Sequence, residues 1–437
     1  MKKNEGFIVV LSLVIATAVL LLLGVFWGSI VAERKNVERS YHAAQALHLA
    51  EAGVEKAINE LNTNPTPSLS GEVDVSGIGE SEYTVTLSGD TALVQATGYS
   101  PGMAVVSRVE RSVEVTLIKG GGETTVFDMA LFGGANTGTV ITKTGSGKVD
   151  SYNSEGTGKP YPNGKGNNGH IGTNSKSTSP KAVKITGSGD IDGNIYIGAG
   201  GDPDEAIQIT GSANVSGEKL ALDEDRELPE VSPPSIPSSL PDRGSLHKTG
   251  SGNYYIHESG RYTKIQATGS GDLIFDNNAD FIYVEGDMSI TGSGDIIVDR
   301  DMTLYVGGDF KFTGSGKLIT QDNYKLTMYV GGDIKGTGSG LWNASKNPLN
   351  LLIYGLDTCS QVKITGSADL YGAVYARNAE IWVTGSGDIY GSAIGDTVRI
   401  TGSGDVHYDE ALKDPNNLPG APTYSGTSYV FQSWVEQ

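Results

Sequence analysis

The chain has 437 residues, enough for a membrane anchor plus two or three folded parts. Its 61 glycines are nearly twice the roughly 7% of an average protein, and its formal net charge is -19. That acidity argues against nucleic acid as a partner, because phosphates demand basic patches, and against docking of the soluble part onto anionic lipid. The single cysteine, Cys359, excludes an intrachain disulfide and, beside Val362 and Ile364, reads as a buried thiol.

The first predicted element is a long helix. Residues 1–6 form a short charged leader with Lys2 and Lys3, and residues 7–32 then run without a charged side chain. About 20 apolar residues span a bilayer, and the two lysines hold the N-terminus in the cytoplasm. The only plausible cut in this leader, Gly6–Phe7, lies before the apolar run, so cleavage keeps the segment in the mature protein. Residues 33–62 continue the helix. Val37, Tyr41, Ala44, Leu47, Ala50, Val54, Ile58 and Leu61 recur every three or four positions, and the stretch from Asn62 to Pro67 ends it.

This layout resembles the class III signal of type IV pilins and pseudopilins, in which a dedicated prepilin peptidase cleaves after a glycine. The segment Ala43 to Ala57, with Ala50-Glu51-Ala52-Gly53 inside it, resembles the helix of PilX-like minor pilins. The resemblance implies processing between Gly6 and Phe7 and packing of residues 7–32 among other pilin subunits. One departure bears on position. Major pilins carry a glutamate as the fifth residue of the mature chain, where this chain has Leu11. In the family that loss marks the tip subunit of the type II secretion pseudopilus, which implies a minor subunit at or near a tip.

Residues 63–120 read as a small β subdomain with strands at 82–87, 92–98 and 107–117, and the glycines of 120–122 form a joint. Residues 121–437 are dominated by a repeat. Thr-Gly-Ser followed by Gly or Ala begins at Thr144, Thr186, Thr210, Thr249, Thr268, Thr291, Thr313, Thr337, Thr365, Thr384 and Thr401. Strand formers precede each copy, and a polar then an apolar residue follow most. Most spacings lie near 20 residues, which predicts a parallel β-helix, with the two long gaps read as two coils each. The expected fold is therefore mainly β, with a long N-terminal helix, a small sheet and a solenoid of about twelve coils, some 55–60 Å long at ~4.8 Å per coil. Pro229 to Asp242, with five prolines, reads as a strap or loop excursion, and the aromatic tail after residue 409 as a cap on the last coil.

In six copies the residue after the motif is aspartate. If coils align, Asp369, Asp388 and Asp405 form a column of like charges about 5 Å apart. Such a column is screened, protonated or bridged by a cation, and Ca²⁺ is the candidate metal; the alternative is that these residues suit a turn and face solvent. No other cofactor is expected. The histidines His170, His247, His257 and His407 lack metal-ligand spacing, and Asp299-Arg300-Asp301 lacks the paired-carboxylate pattern of a polysaccharide-cleaving site.

The whole chain resembles PilX-like pilus assembly proteins with a C-terminal glycine-rich β domain of unknown function, through its helix and through Phe127–Gly133, Tyr371–Ala376 and Val406–Leu412. The resemblance implies a surface subunit, in the cytoplasmic membrane before assembly and on an extracellular pilus afterwards, and the lack of a nucleophile elbow, phosphate loop or zinc motif leads to the expectation that it is not an enzyme. Its solenoid would meet a surface glycan or protein. The rival expectation is a membrane-anchored β-helix enzyme acting on surface polysaccharide.

Overall fold

The computed structural model describes residues 5–63, 68–88, 91–119, 123–155, 161–162, 164–321, 324–425 and 429–436. The chain forms two compact units: residues 1–121 together with 426–437, and residues 122–425. It is mainly β, with one long N-terminal helix and a large parallel sheet wound as a solenoid.

In the first unit, helix α1 (Glu5–Thr63) lies against an antiparallel sheet of β1 (Ser68–Val75), β2 (Gly79–Ser88), β3 (Thr91–Ser100), β4 (Val109–Lys119) and a fifth, C-terminal strand (Tyr429–Glu436). The sheet alternates as a half-buried sheet must. Tyr83, Val85, Val94, Ala96, Val113, Val115 and Leu117 face the helix and are buried, and each Val or Leu so covered is worth about 1.5–3 kcal/mol. The helical stripe holds in its second half, where Ala50, Val54 and Leu61 are buried, and fails in its first, where Val37 and Tyr41 are exposed. Ala46, Leu49 and Ala57 join the buried face instead. The reason is contact distance: a side chain at Gly98 would put its Cβ 2.0 Å from the Ala46 carbonyl. Small residues on α1 let its backbone sit directly on the sheet.

The C-terminal strand corrects the expected cap. Tyr429–Glu436 pairs antiparallel with β4, from Tyr429 opposite Lys119 to Glu436 opposite Val113. A strand that completes a sheet satisfies a row of edge amides, and β4 presents that edge.

The second unit is the solenoid. Each full coil has three short sides, as in Ile141–Gly145, Val149–Tyr152 and Ile171–Thr173. All eleven Thr-Gly motifs stack in one parallel, in-register column. The order is Thr249, Thr268, Thr291, Thr313, Thr337, Thr365, Thr384, Thr401, then Thr144, Thr186 and Thr210. Stacking order thus departs from chain order: the earliest coils sit on the last one. The two long gaps hold loops and a strap rather than additional full coils.

That order explains the proline-rich segment. After Ala221 the chain stands at one end of the stack and must reach the other end, where Asp242 begins the Thr249 coil. Ten coil steps are about 48 Å, and the roughly 20 intervening residues, extended, reach about 65 Å. Arg226 holds the strap through two hydrogen bonds to the Asp128 carboxylate, 2.6 and 2.9 Å. Tyr375 donates to the Pro229 carbonyl at 2.6 Å, Arg377 pairs with Glu230 at 3.7 Å, and Arg261 N–H donates to the Pro241 carbonyl at 2.8 Å. Proline suits this run because it holds an extended backbone and needs no amide partner.

The repeat itself has a steric cause. The motif glycine has positive φ in all eleven coils, between +89° and +132°. From the second stacked coil onward, a Cβ at either motif glycine would lie 1.7–2.3 Å from a carbonyl oxygen of the coil beneath. Apolar residues on the strands before and after each corner fill the lumen, Ile265, Met288, Phe310 and Ile334 forming one inward column.

Candidate functional site

The sequence singles out three regions. At the N-terminus the helix begins at Glu5, so Gly6 and Phe7 lie in its first turn. Leu11 is 47% exposed, and Leu20, Leu21, Val25, Phe26 and Trp27 are 66–73% exposed. This helix contains an 18-residue window of mean hydropathy 2.5, long and apolar enough to cross a membrane. An apolar surface of this extent is not left in water.

The aspartate column forms as the spacing predicts. Asp369, Asp388 and Asp405 stand on successive coils. Each carboxylate accepts the amide of the next coil: Asp388 N–H to Asp369 Oδ1 at 2.9 Å, Asp405 N–H to Asp388 Oδ1 at 2.8 Å, and Lys148 N–H to Asp405 Oδ1 at 2.7 Å. The same bond joins Asp272 to Asp295, Asp295 to Lys317 and Asp190 to Asn214. Burial pushes the Asp388 carboxyl above the usual range, the Asp405 amide pulls it back, and the neighbouring carboxylates raise it further. One oxygen of each carboxylate is thus engaged by a backbone amide, and among the described residues no group of three or more His, Cys, Asp or Glu is arranged to hold a metal.

A second ladder, on another corner, is not apparent from motif spacing. Asp309 N–H donates to Asp287 Oδ1, Asp333 N–H to Asp309 Oδ1, and Gln361 N–H to Asp333 Oδ1, at 3.0, 3.0 and 3.1 Å. The Gly-Gly-Asp strings at 307–309 and 331–333 were its signal. Of the triplet at 299–301, Arg300 pairs with Asp280, and Asp301 accepts the Lys325 amide at 2.8 Å.

The third region is a buried polar cluster. His407 and Asp150 are on adjacent coils and nearly sealed, 2% and 0% exposed, with Nδ1 and Oδ1 2.5 Å apart. Lys165 reaches the other carboxylate oxygen at 2.7 Å, and the Tyr161 ring lies over His407 with centroids 3.8 Å apart. Burial opposes the charge on Asp150, but the hydrogen bonds from His407 and Lys165 hold its carboxyl below the usual range. Tyr390 and Tyr371 continue the column, stacked at 4.1 Å. Both oxygens of the buried Asp150 carboxylate are thus engaged within the fold, one by His407 and the other by Lys165, which is the geometry of a structural ion pair. Lys143, 3% exposed at an inward position, donates to the Gly147 carbonyl, and burial lowers its pKa. It interrupts the apolar alternation Ile141, Lys143, and that interruption was visible in the sequence.

Comparison with known proteins gives one family match: residues 283–415 fit a domain of unknown function (DUF7305). No curated protein matches the chain. Among solved structures, the crystal structure of the competence-associated pilin ComZ from Thermus thermophilus aligns over 90% of this chain and 97% of that one, with 12% identity and a TM-score of 0.26. The domain match takes in the stacked coils from Thr291 to Thr401.

Proposed function

We propose that this chain is a minor subunit of a type IV pilus or related pseudopilus, processed between Gly6 and Phe7 by a prepilin peptidase. On this reading it displays its solenoid at the cell surface for adhesion or filament assembly, as a structural protein and not a catalyst. The observation that carries the reading is α1 itself. An uncovered apolar half, 59-residue continuity and a second half seated on a small antiparallel sheet are what a helix needs to pack in a filament core while holding a soluble domain outside it. Leu11 supports a position near the tip. An apolar residue there offers no carboxylate to the terminal amine of a neighbouring subunit, and an unpaired charge inside an apolar core is costly.

Before assembly the subunit sits in the cytoplasmic membrane through residues 7–32. Its expected partners are other pilin subunits and, for the solenoid, a surface glycan or protein. The test is the N-terminal residue of the protein recovered from sheared surface filaments, read by mass spectrometry. Phe7 as first residue, in filaments, supports the proposal. Met1 as first residue, with protein only in membranes, rejects it and leaves a membrane-anchored solenoid.

A further inference from the structure

We propose that the two ends of the solenoid are complementary surfaces through which a second copy of this chain stacks head to tail. The inference rests on the solenoid alone and stands apart from the pilus reading.

Among the described residues, no strand pairs with the outer edge of either terminal coil. At one end these edges belong to Ile207–Gly211 and Lys219–Ala221, and at the other to Asp242–Gly250 and the start of the strand Tyr254–Gly269. Unpaired edges recruit other strands unless they are blocked. The lumen is open as well. Ile209, Val215 and Ala221 are only partly buried, while their equivalents one coil inside, Ile185, Ile191 and Ile197, are at most 1% exposed. The difference is the coil that does not follow. At the opposite end Leu246, Ile256 and Tyr262 are themselves buried, beneath a surface hollow of ≈ 380 Å³ rimmed by Arg243, Tyr254 and Glu258.

Three features select a second copy as the occupant. First, the ladder is directional. In seven of the steps between stacked coils, the residue after the motif accepts, through its side-chain oxygen, the amide of the next coil. One end finishes with the Asn214 side chain as a spare acceptor, and the other begins with the Asn253 amide as a spare donor. Both terminal residues are uncharged asparagines, so joining them adds no carboxylate to the column. Second, a Cβ at Gly250 or Gly252 would meet nothing within 4 Å, whereas every later motif glycine faces a carbonyl of the coil beneath. The first coil thus keeps space for a coil that its own chain does not supply. Third, the ends are not interchangeable: an acceptor finishes the ladder at one and a donor begins it at the other, so two like ends offer no matched pair, which favours the heterologous arrangement over a symmetric pair and yields open chains of copies.

The test uses the full-length protein in detergent, with Cys359 retained because it is buried. Chains carrying Asn214→Cys are mixed with chains carrying Asn253→Cys under mild oxidation. In-register neighbours on adjacent coils lie within disulfide range, so the mixed product should exceed that of Asn214→Cys with the mid-stack control Ser403→Cys by at least about fivefold. Adding Ile209→Asp to the Asn214→Cys chain should return the yield to the control level, with circular dichroism confirming an unchanged fold. A mixed yield equal to the control, a dominant Asn214→Cys self-product, or cross-linking that survives Ile209→Asp would each overturn the proposal.

Discussion

Three alanine substitutions separate the causes that keep glycine in the repeat. At Gly314, φ is +127° and an added Cβ would lie 1.9 Å from the Gly292 carbonyl oxygen. The backbone conformation costs a side chain about 1–3 kcal/mol, and forcing the coils apart to seat the methyl costs about 1–3 kcal/mol more. Gly314→Ala should therefore lose about 4 kcal/mol. Gly250 has φ +89° with nothing near its absent Cβ, so only the conformational cost applies, about 1–2 kcal/mol. Gly252→Ala, with neither constraint, should be neutral. The assay is guanidinium unfolding in detergent, followed by fluorescence of the buried Trp342, whose ring packs on Phe312. With m on the order of 5 kcal/mol per molar, the Gly314 variant should shift the midpoint down by about 0.8 M. Equal shifts at Gly314 and Gly252 would refute the claim that coil-on-coil contact, rather than turn conformation or ancestry of the repeat, requires these glycines.

Asp150→Asn should cost about 3 kcal/mol at neutral pH, because it takes the carboxylate away from the buried His407 ring and from the Lys165 ammonium. The Asp150 pKa is lowered in the fold, so its contribution is present above the unfolded value near 3.9 and is lost as pH falls through the folded value. The stability gap between wild type and variant should then close below about pH 4; a gap independent of pH refutes the ion-pair account. Arg226→Ala removes both hydrogen bonds that hold the strap to Asp128 and should speed thermolysin cleavage within residues 222–241, with no change elsewhere in the digest. In detergent that covers the apolar half of α1, a chain ending at residue 120 should still aggregate, because it leaves β4 without the Tyr429–Glu436 strand, whereas replacing residues 123–425 by a short Gly/Ser linker should keep the small unit soluble. Solubility of the truncated chain would contradict the five-stranded sheet.

The parts legible in the sequence were those with a local cause. Apolar run, helical period and repeat are each written in neighbouring residues, and the aspartate column followed from equal spacing once coils were assumed to align. The parts that were not legible depend on which distant segments meet. Nothing near Tyr429 says that its strand belongs with β4, more than 300 residues earlier in the chain. Ala46 and Ala57 of the buried face of α1 were missed because small residues, which a hydrophobicity count passes over, decide how close a helix can lie on a sheet. The pairing of His407 with Asp150 required the shuffled coil order, since those residues are 257 apart in sequence and adjacent only because the Thr144 coil sits on the Thr401 coil.

That shuffled order has a cause in the chain's connectivity. The solenoid is inserted between β4 and the strand that completes its sheet, so its entry and exit must lie together; Glu123–Thr125 pairs with Thr423–Ser425 to close them. In a solenoid wound in chain order, first and last coils stand at opposite ends and cannot meet this requirement. Starting mid-stack places the Thr144 and Thr401 coils side by side and moves the long connection to the strap. A protease site introduced at the exposed Ile236 tests this directly. Cleavage divides the coils into a Thr144–Thr210 set and a Thr249–Thr401 set, which the in-register contact between Thr144 and Thr401 should hold together. The nicked protein should elute as one species in native buffer and as two fragments in denaturant. Because the β4 pairing alone would hold intact chain ends, and winding in chain order would also keep the fragments together, the decisive probe is a disulfide between Thr144→Cys and Thr401→Cys in the full-length chain, in-register neighbours only in the shuffled stack. Absence of that disulfide under mild oxidation would refute the shuffled stack, since winding in chain order would join the two sets through the Thr210 and Thr249 coils and leave Thr144 and Thr401 far apart.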